Sequence, residues 1–443
     1  MRKKSKRQIP LIPCWANHQY AEELQAISRI LDANPAILEM VLHDVSDKKK
    51  TDTGAPGMTA EQVVRCGLIK QLEQFSYEKL AFHLADSVSF QTFCRLPWGQ
   101  TPSVSTLHSN ISRIRETTWQ EINRVLVGWA QRAGLEAGRQ IRIDSTAVET
   151  HIHYPLDSAL LKDCVHALTR RMEVVNQLVK LKFQDHRRRA RRRALAILNA
   201  RGMERKVPLY RDLVKVTRLT YADASRAMDQ IVGNPDPRIL AEAVELKRLL
   251  ELTEKVISQT VRRVFQGETV PAEEKVVSIF EEHTDIIRKG QRETTFGHKV
   301  FLTVGKSSLV LDCVTLRGNV ADSTQVETLL DRQQDLYGRY PRQASLDAGF
   351  ASKPNLKMAK QDKGIKDMAF AAKAGIKIAD MVKSSWVYEK LRRFRAGIEG
   401  CISYLKRIFG WDRCDWRGWE HFQRYVHLSV VSYNLLVLAR LTL

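Results

Sequence analysis

Three acidic residues stand where a carboxylate can do chemistry. Asp144, in QIRIDSTAVET (140–150), and Asp347, in QASLDAGF (343–350), each end a short apolar run and are followed by small residues. Ile141 and Ile143 alternate with Arg142 and Asp144, the two-residue period of a strand. A carboxylate at a strand's end projects into the crevice where α/β proteins bind their ligands. Glu399 lies in YEKLRRFRAGIEGCISYLKRIFG, where Arg392, Arg395, Glu399 and Lys406 follow at steps of 3, 4 and 7. At about 100° per residue, these four share one helix face. Carboxylate oxygens are the ligands hard Mg²⁺ prefers, and it keeps further positions for water and substrate phosphate. Two Mg²⁺ ions, with Mn²⁺ as a substitute, held by Asp144, Asp347 and Glu399 would activate a nucleophile and stabilise a leaving 3′ oxygen in an in-line phosphoryl displacement. Arg392, Arg395 and Lys406 would hold the phosphates. Singly, each acid has a plainer explanation: an Asp before a small residue closes a turn, and a Glu between arginines makes an i,i+4 pair. Their joint placement on a strongly basic chain is what points to chemistry.

The basicity restricts the partner. The 443 residues include 71 Lys and Arg against 50 Asp and Glu, a formal charge of +21. Such a chain sits against a polyanion, of which DNA is the commonest. The charge is densest in HRRRARRR (186–193), with Arg187, Arg188, Arg189, Arg191, Arg192 and Arg193 in eight positions. Arginines this close repel one another unless phosphate neutralises them, so contact with the DNA backbone is expected, although a solvated charged face has the same composition. A hydrophobic content of 44% supplies sizeable cores and excludes disorder, and the length suggests two to three domains. The apolar run from Val426 to Ala439 is too short to span a bilayer and contains Asn434. The basic N-terminus lacks the apolar stretch of a secretion signal. Seven scattered cysteines without a CxxC pair argue for a reducing, cytoplasmic compartment and against a zinc ribbon.

The elements that would carry these residues divide by composition. Residues 1–57 read as a basic N-terminal segment and a linker, the linker at 44–57. Residues 58–135 read as a helical domain capped at Thr59 and Ser103; with Arg113 and Arg115 it suits a helix-turn-helix DNA reader, and a bundle that touches no base suits the pattern equally. Strand-like text at 136–155 returns at 277–316 as VSIF, GHKVFLTVG and SLVLDCVTLRG, and again at 343–350. Between them, residues 156–275 are helical, with Leu161, Val165, Leu168, Met172, Val175 and Leu178 at three- and four-residue steps. His151 and His153 alternate beside Asp144 but lack a third ligand for zinc. Lys299 begins a strand from which it could face the cleft. Trp411, Trp416 and Trp419 among arginines suit either base stacking or a core.

Five stretches, IDSTAVETHIHYP, GHK with its strands, LRGNVADS, SLDAGF and FRAGIEGCISYLKRIFG, resemble the motifs of bacterial insertion-sequence transposases with an RNase H-like DDE domain, closest to the ISNCY group. The resemblance implies an α/β fold: an RNase H-like mixed sheet with flanking helices, interrupted by an all-helical insertion at 156–275 and preceded by a helical N-terminal domain, with the catalytic domain at 136–155 plus 276–443. It places the catalytic acids on Asp144, Asp347 and Glu399. In the related signature a Tyr precedes the Arg, Glu and Lys; this chain has Arg392 there, with Tyr388 one turn earlier. The implied activity is metal-dependent DNA strand cleavage at element ends and 3′-OH transfer into target DNA, in a nucleoid-associated homodimer or larger complex. A retired DNA-binding protein and a nuclease without strand transfer are the alternatives.

Overall fold

The computed structural model describes residues 3–4, 15–46, 57–97, 99–288, 294–371 and 375–443. Residues 47–56 of the 44–57 linker and residues 1–2 and 5–14 of the N-terminal segment lie outside the described residues, while Gln19–Asp32 and Ala36–Val45 of that segment are helices. The chain forms two compact units, Met1–Thr150 with Gly297–Leu443, and His151–Phe296.

Among the described residues the first unit begins with seven helices: α1 (Gln19–Asp32), α2 (Ala36–Val45), α3 (Ala60–Leu72), α4 (Tyr77–Asp86), α5 (Val88–Cys94), α6 (Val104–Ile111) and α7 (Glu116–Arg132). The start of α3 is a capping box: Thr59 Oγ1 accepts from the Gln62 N–H and Gln62 Oε1 accepts from the Thr59 N–H. Ser103 caps α6 through the Thr106 N–H. Every residue from Ala60 to Gln71 is buried. The charge of Arg65 inside this helix is met by Asp32 at 2.7 Å and Glu61 at 3.2 Å. Arg113 and Arg115 are engaged locally, with the Val45 carbonyl and with Asp44.

β1 (Gln140–Glu149) follows, and the chain then leaves for the second unit. There α8 (Asp157–Asn176), α9 (Arg187–Asn199), α10 (Met203–Ile231) and α11 (Pro237–Thr260) enclose a core built from Leu161, Val165, Leu168, Met172, Leu213, Leu246 and Val256. VSIF is not a strand. Val277, Ser278 and Ile279 are all buried, and the Ser278 hydroxyl accepts from the N–H groups of Phe280 and Glu281 and turns the backbone. β2 (Asp285–Ile287) and the first two residues of β3 (Thr295–Gly305) also belong to this second unit.

Back in the first unit come β4 (Val310–Thr315), α12 (Val326–Tyr337), β5 (Gln343–Leu346), α13 (Lys353–Lys357), β6 (Asp367–Phe370), α14 (Ile378–Met381), α15 (Ser385–Phe409) and α16 (Trp419–Thr442). The sheet is mixed. β3 is antiparallel to β1 and to β4, while β5 is parallel to β1 and β6 parallel to β5. Alternate residues serve opposite cores, as a two-residue period requires. Ile141, Ile143 and Phe301 join the N-terminal helices, whereas Val148, Val300, Leu302 and Val304 pack with Ile398, Leu405 and Phe409 of α15. α16 is buried on all sides and belongs to both cores, through Leu428, Val431 and Leu435 on one side and Val426, Val430 and Tyr433 on the other. Among the described residues no helix is long and apolar enough to cross a membrane. The described cysteines are buried.

Asn434, the polar residue in that apolar helix, holds the start of β4. Its Oδ1 accepts from the Val310 N–H at 2.9 Å, and its Nδ2 donates to the Val310 carbonyl and to Asn123 Oδ1, both at 2.7 Å. Asn434→Leu fills the same space but strands the buried Val310 N–H, so the protein should lose about 1–3 kcal/mol in urea denaturation.

Candidate active site

The register of two parallel strands brings the first two acids together. Ile143 pairs with Leu346, so Asp144 and Asp347 are the next residues on neighbouring strands. Asp144 lies within β1, where its Oδ1 accepts from the Ser145 N–H at 2.7 Å. β5 ends at Leu346, and Asp347 opens a single 3₁₀ turn, Ala348–Phe350, anchored by the buried Phe350.

α15 delivers the third acid, and three side chains fix its place on the sheet. Arg142, two residues before Asp144 and on the same face of β1, donates from Nη1 to the Phe394 carbonyl at 3.0 Å and stacks on the Phe394 ring at 4.8 Å. Ser345, two residues before Asp347, donates to the Leu391 carbonyl at 3.0 Å. Tyr388 donates to the Phe370 carbonyl on β6 at 3.0 Å. Tyr388 is therefore a buried docking residue of this helix. Burial lowers the pKa of Arg142 from its ordinary value. Gly397 permits the close approach, because a Cβ there would stand 2.0 Å from Arg142 Nη1.

With the helix so placed, Arg395 reaches all three acids. Its Nη1 stands 3.2 Å from Asp144 Oδ2 and 3.2 Å from Asp347 Oδ1, and its Nη2 2.8 Å from Glu399 Oε1. The acids are graded in exposure, at 13% for the Asp144 side chain, 39% for Asp347 and 64% for Glu399, so the site is open on the Glu399 side. The other two cations of the helix face point elsewhere: Arg392 pairs with Glu389 at 3.1 Å, and Lys406 lies 3.7 Å from Asp412.

A second network lies beside the acids. Asp322, in the 3₁₀ turn before α12, accepts from Ser145 Oγ at 3.0 Å and from Lys299 Nζ at 3.0 Å. Lys299 also donates to the Val320 carbonyl at 2.6 Å. A Cβ on Gly349 would come within 2.9 Å of Asp322 Oδ2, so the loop after Asp347 rests on this carboxylate. Asp322 thus ties Ser145 to the turn that follows Asp347. The motif LRGNVADS contains it, but only contact, not spacing, reveals its partner.

The donor set suits a hard divalent cation, since it offers three carboxylates in one cleft and a guanidinium already stands among them as their positive charge. Among the described residues, no three His, Cys, Asp or Glu side chains are clustered closely enough to hold an ion as they stand. His153 pairs with Asp163 of α8, which raises its pKa above the ordinary value. Trp411 is buried in the core, and Trp419 stacks on Phe422, with ring centroids 5.8 Å apart.

On α9, carboxylates meet half of the arginine run. Arg187 pairs with Glu173 and Asp185, and Arg189 and Arg193 pair with Asp212 of α10. Arg188, Arg191 and Arg192 are exposed, with no ion-pair partner among the described residues.

Gly397→Ala tests the docking of α15. Alanine favours the helix by about 1 kcal/mol. The clash, however, drives Arg142 off the Phe394 carbonyl, and a hydrogen bond from a charged group contributes about 1.5–3 kcal/mol. Chemical denaturation should therefore show a net loss of stability, against the gain that an unobstructed helical glycine would give.

Residues 267–435 match the model of the Transposase DDE domain, and residues 15–116 match that of the Transposase domain (DUF772). The first match contains Asp347 and Glu399, and Asp144 lies upstream of it. No curated protein and no solved structure matches the chain. With these two transposase domains in one sequence, the chain is an insertion-sequence transposase of the DDE kind.

Proposed function

We propose that the protein cuts DNA at the ends of its element and joins the freed 3′-OH to target DNA, using Asp144, Asp347 and Glu399 as one active site. The observation that carries this reading is the convergence of those acids, from β1, from the turn after β5 and from α15, on the single guanidinium of Arg395. The strand order β4-β3-β1-β5-β6, with β5 and β6 parallel to β1 and β3 antiparallel to it, supports an RNase H-like catalytic domain. The compact second unit supports an all-helical insertion between the first two strands of that domain, assigned to 156–275. The catalytic domain is then 136–155 plus 276–443, with residues 58–135 as the helical DNA-binding domain. Within the transposases the ISNCY group is the assignment we favour.

The chemistry divides among the chain's own groups. The three carboxylates would hold divalent ions, Mg²⁺ or Mn²⁺. When bound, such ions supply Lewis-acid stabilisation of charge at the attacking and leaving oxygens. Asp144, fixed by the Ser145 N–H, and Asp347, on a turn braced by Phe350, give the cleft rigid walls. Glu399, on the exposed side, meets the incoming DNA. Arg392 and Lys406, whose present partners are on the surface, are free to exchange them for phosphates at modest cost. Two DNA ends must be held together for joining, so the working form is at least a dimer on DNA, in the cytoplasm at the nucleoid.

The insertion supplies much of the grip. Residues 186–218 contain twelve Lys and Arg against two acids. Counterion release from phosphates makes such contacts salt-dependent, by about 0.9 in the slope of log K against log salt per phosphate. The triple substitution of Arg188, Arg191 and Arg192 by alanine should lower DNA affinity and flatten that slope by about 3. The same substitution at Arg187, Arg189 and Arg193 should flatten it less, because those arginines already have carboxylate partners.

The function is tested by incubating purified protein with labelled element ends, a target plasmid and Mg²⁺. Wild type should yield nicked ends and joined products. Asp144→Asn, Asp347→Asn and Glu399→Gln should each lose at least 100-fold in both, while retaining DNA affinity. Full cleavage by Asp144→Asn would overturn the assignment, and cleavage without joining by wild type would make the protein a nuclease.

A further inference from the structure

Arg395 stands where the proposed function requires metal ions. One nitrogen, Nη1, is 3.2 Å from both Asp144 Oδ2 and Asp347 Oδ1, and the other, Nη2, takes Glu399. Three carboxylates brought to one cleft repel one another, and an opposite charge among them is what makes their ionised forms compatible. An ion held by Asp144 and Asp347 would compete for the same two carboxylates and would carry the same sign as the guanidinium. Both cations cannot occupy the gap.

Resting on the active-site reading above, we propose that Arg395 is the internal counter-ion of the ion-free site, and that metal entry and the Arg395 contacts with Asp144 and Asp347 exclude one another. The geometry on either side supports a guanidinium that moves while its helix stays. The α15 backbone is held at Leu391 and Phe394 by Ser345 and Arg142, so only the side chain of Arg395 is free to change position. The Arg395 side chain is 15% exposed, and it lies next to the most exposed of the three acids, Glu399. A guanidinium turned away from the two aspartates is a fork suited to a phosphate at the open side of the cleft. Metal loading and grip on a DNA phosphate are thereby linked, and each favours the other. In this account Arg395 keeps the acids together before the ions arrive and takes a phosphate once they are bound.

The test is Mn²⁺ binding to the DNA-free protein, followed by the loss of the free-ion electron paramagnetic resonance signal. Arg395→Gln removes the competing charge and should bind Mn²⁺ at least tenfold more tightly than wild type. Arg395→Lys, whose ammonium cannot fork across three carboxylates, should also bind more tightly, by about threefold, and serves if the glutamine variant does not fold. Equal or weaker binding by the folded variants overturns the proposal. Asp144→Asn separates this failure from failure of the active site itself. If Asp144→Asn binds Mn²⁺ as wild type does, the acids are not the metal site and both readings fall. If Asp144→Asn loses Mn²⁺ while the Arg395 variants gain nothing, only the competition is wrong.

Discussion

Repulsion among like charges is the constraint around which this site is built. Asp144, Asp347 and Glu399 come from three separate elements, and each would be more comfortable in water alone than beside the other two. The fold holds them together in two ways. A parallel register sets Asp144 and Asp347 on adjacent strands, and a helix pinned to the sheet brings Arg395 into the space between the acids. The pins are hydrogen bonds to backbone carbonyls at Phe394, Leu391 and Phe370, made by Arg142, Ser345 and Tyr388. Such bonds fix the helix in rotation and in position along its axis, which apolar packing by Ile398 and Leu405 alone does less sharply.

Residues that support the site sit close to those that form it. Arg142 is two positions before Asp144, Ser345 two before Asp347, and Gly397 lies between Arg395 and Glu399. In a strand, residues two apart share a face, so the supporting and acting side chains point the same way. Asp322 braces from the other side, through Ser145, Lys299 and the turn at Gly349. A substitution at any of these would act on the acids through the contacts that place them.

Some of this was legible in the sequence because the signal was local. The alternation at Ile141–Asp144, the helix face from Arg392 to Lys406 and the caps at Thr59 and Ser103 follow from periods of two and 3.6 residues and from side-chain reach. What depends on distant partners was not legible. Arg142 looks like an ordinary polar-face residue until Phe394 and Gly397 are brought against it. VSIF has the apolar alternation of a strand, yet a serine hydroxyl turns it. The arginine run reads as six equivalent phosphate ligands, but Glu173, Asp185 and Asp212 divide it into a paired half and an exposed half. Burial likewise settles Trp411 as core.

The central claim is that the acids of β1, of the β5 turn and of α15 act on DNA as one site. Anomalous scattering from crystals of the protein soaked with Mn²⁺ in complex with an element-end duplex measures this directly. The account predicts anomalous density bounded by Asp144, Asp347 and Glu399, next to the DNA strand to be cut. Density at another set of acids, with Asp144 and Asp347 still closed on Arg395 in the DNA complex, would contradict it.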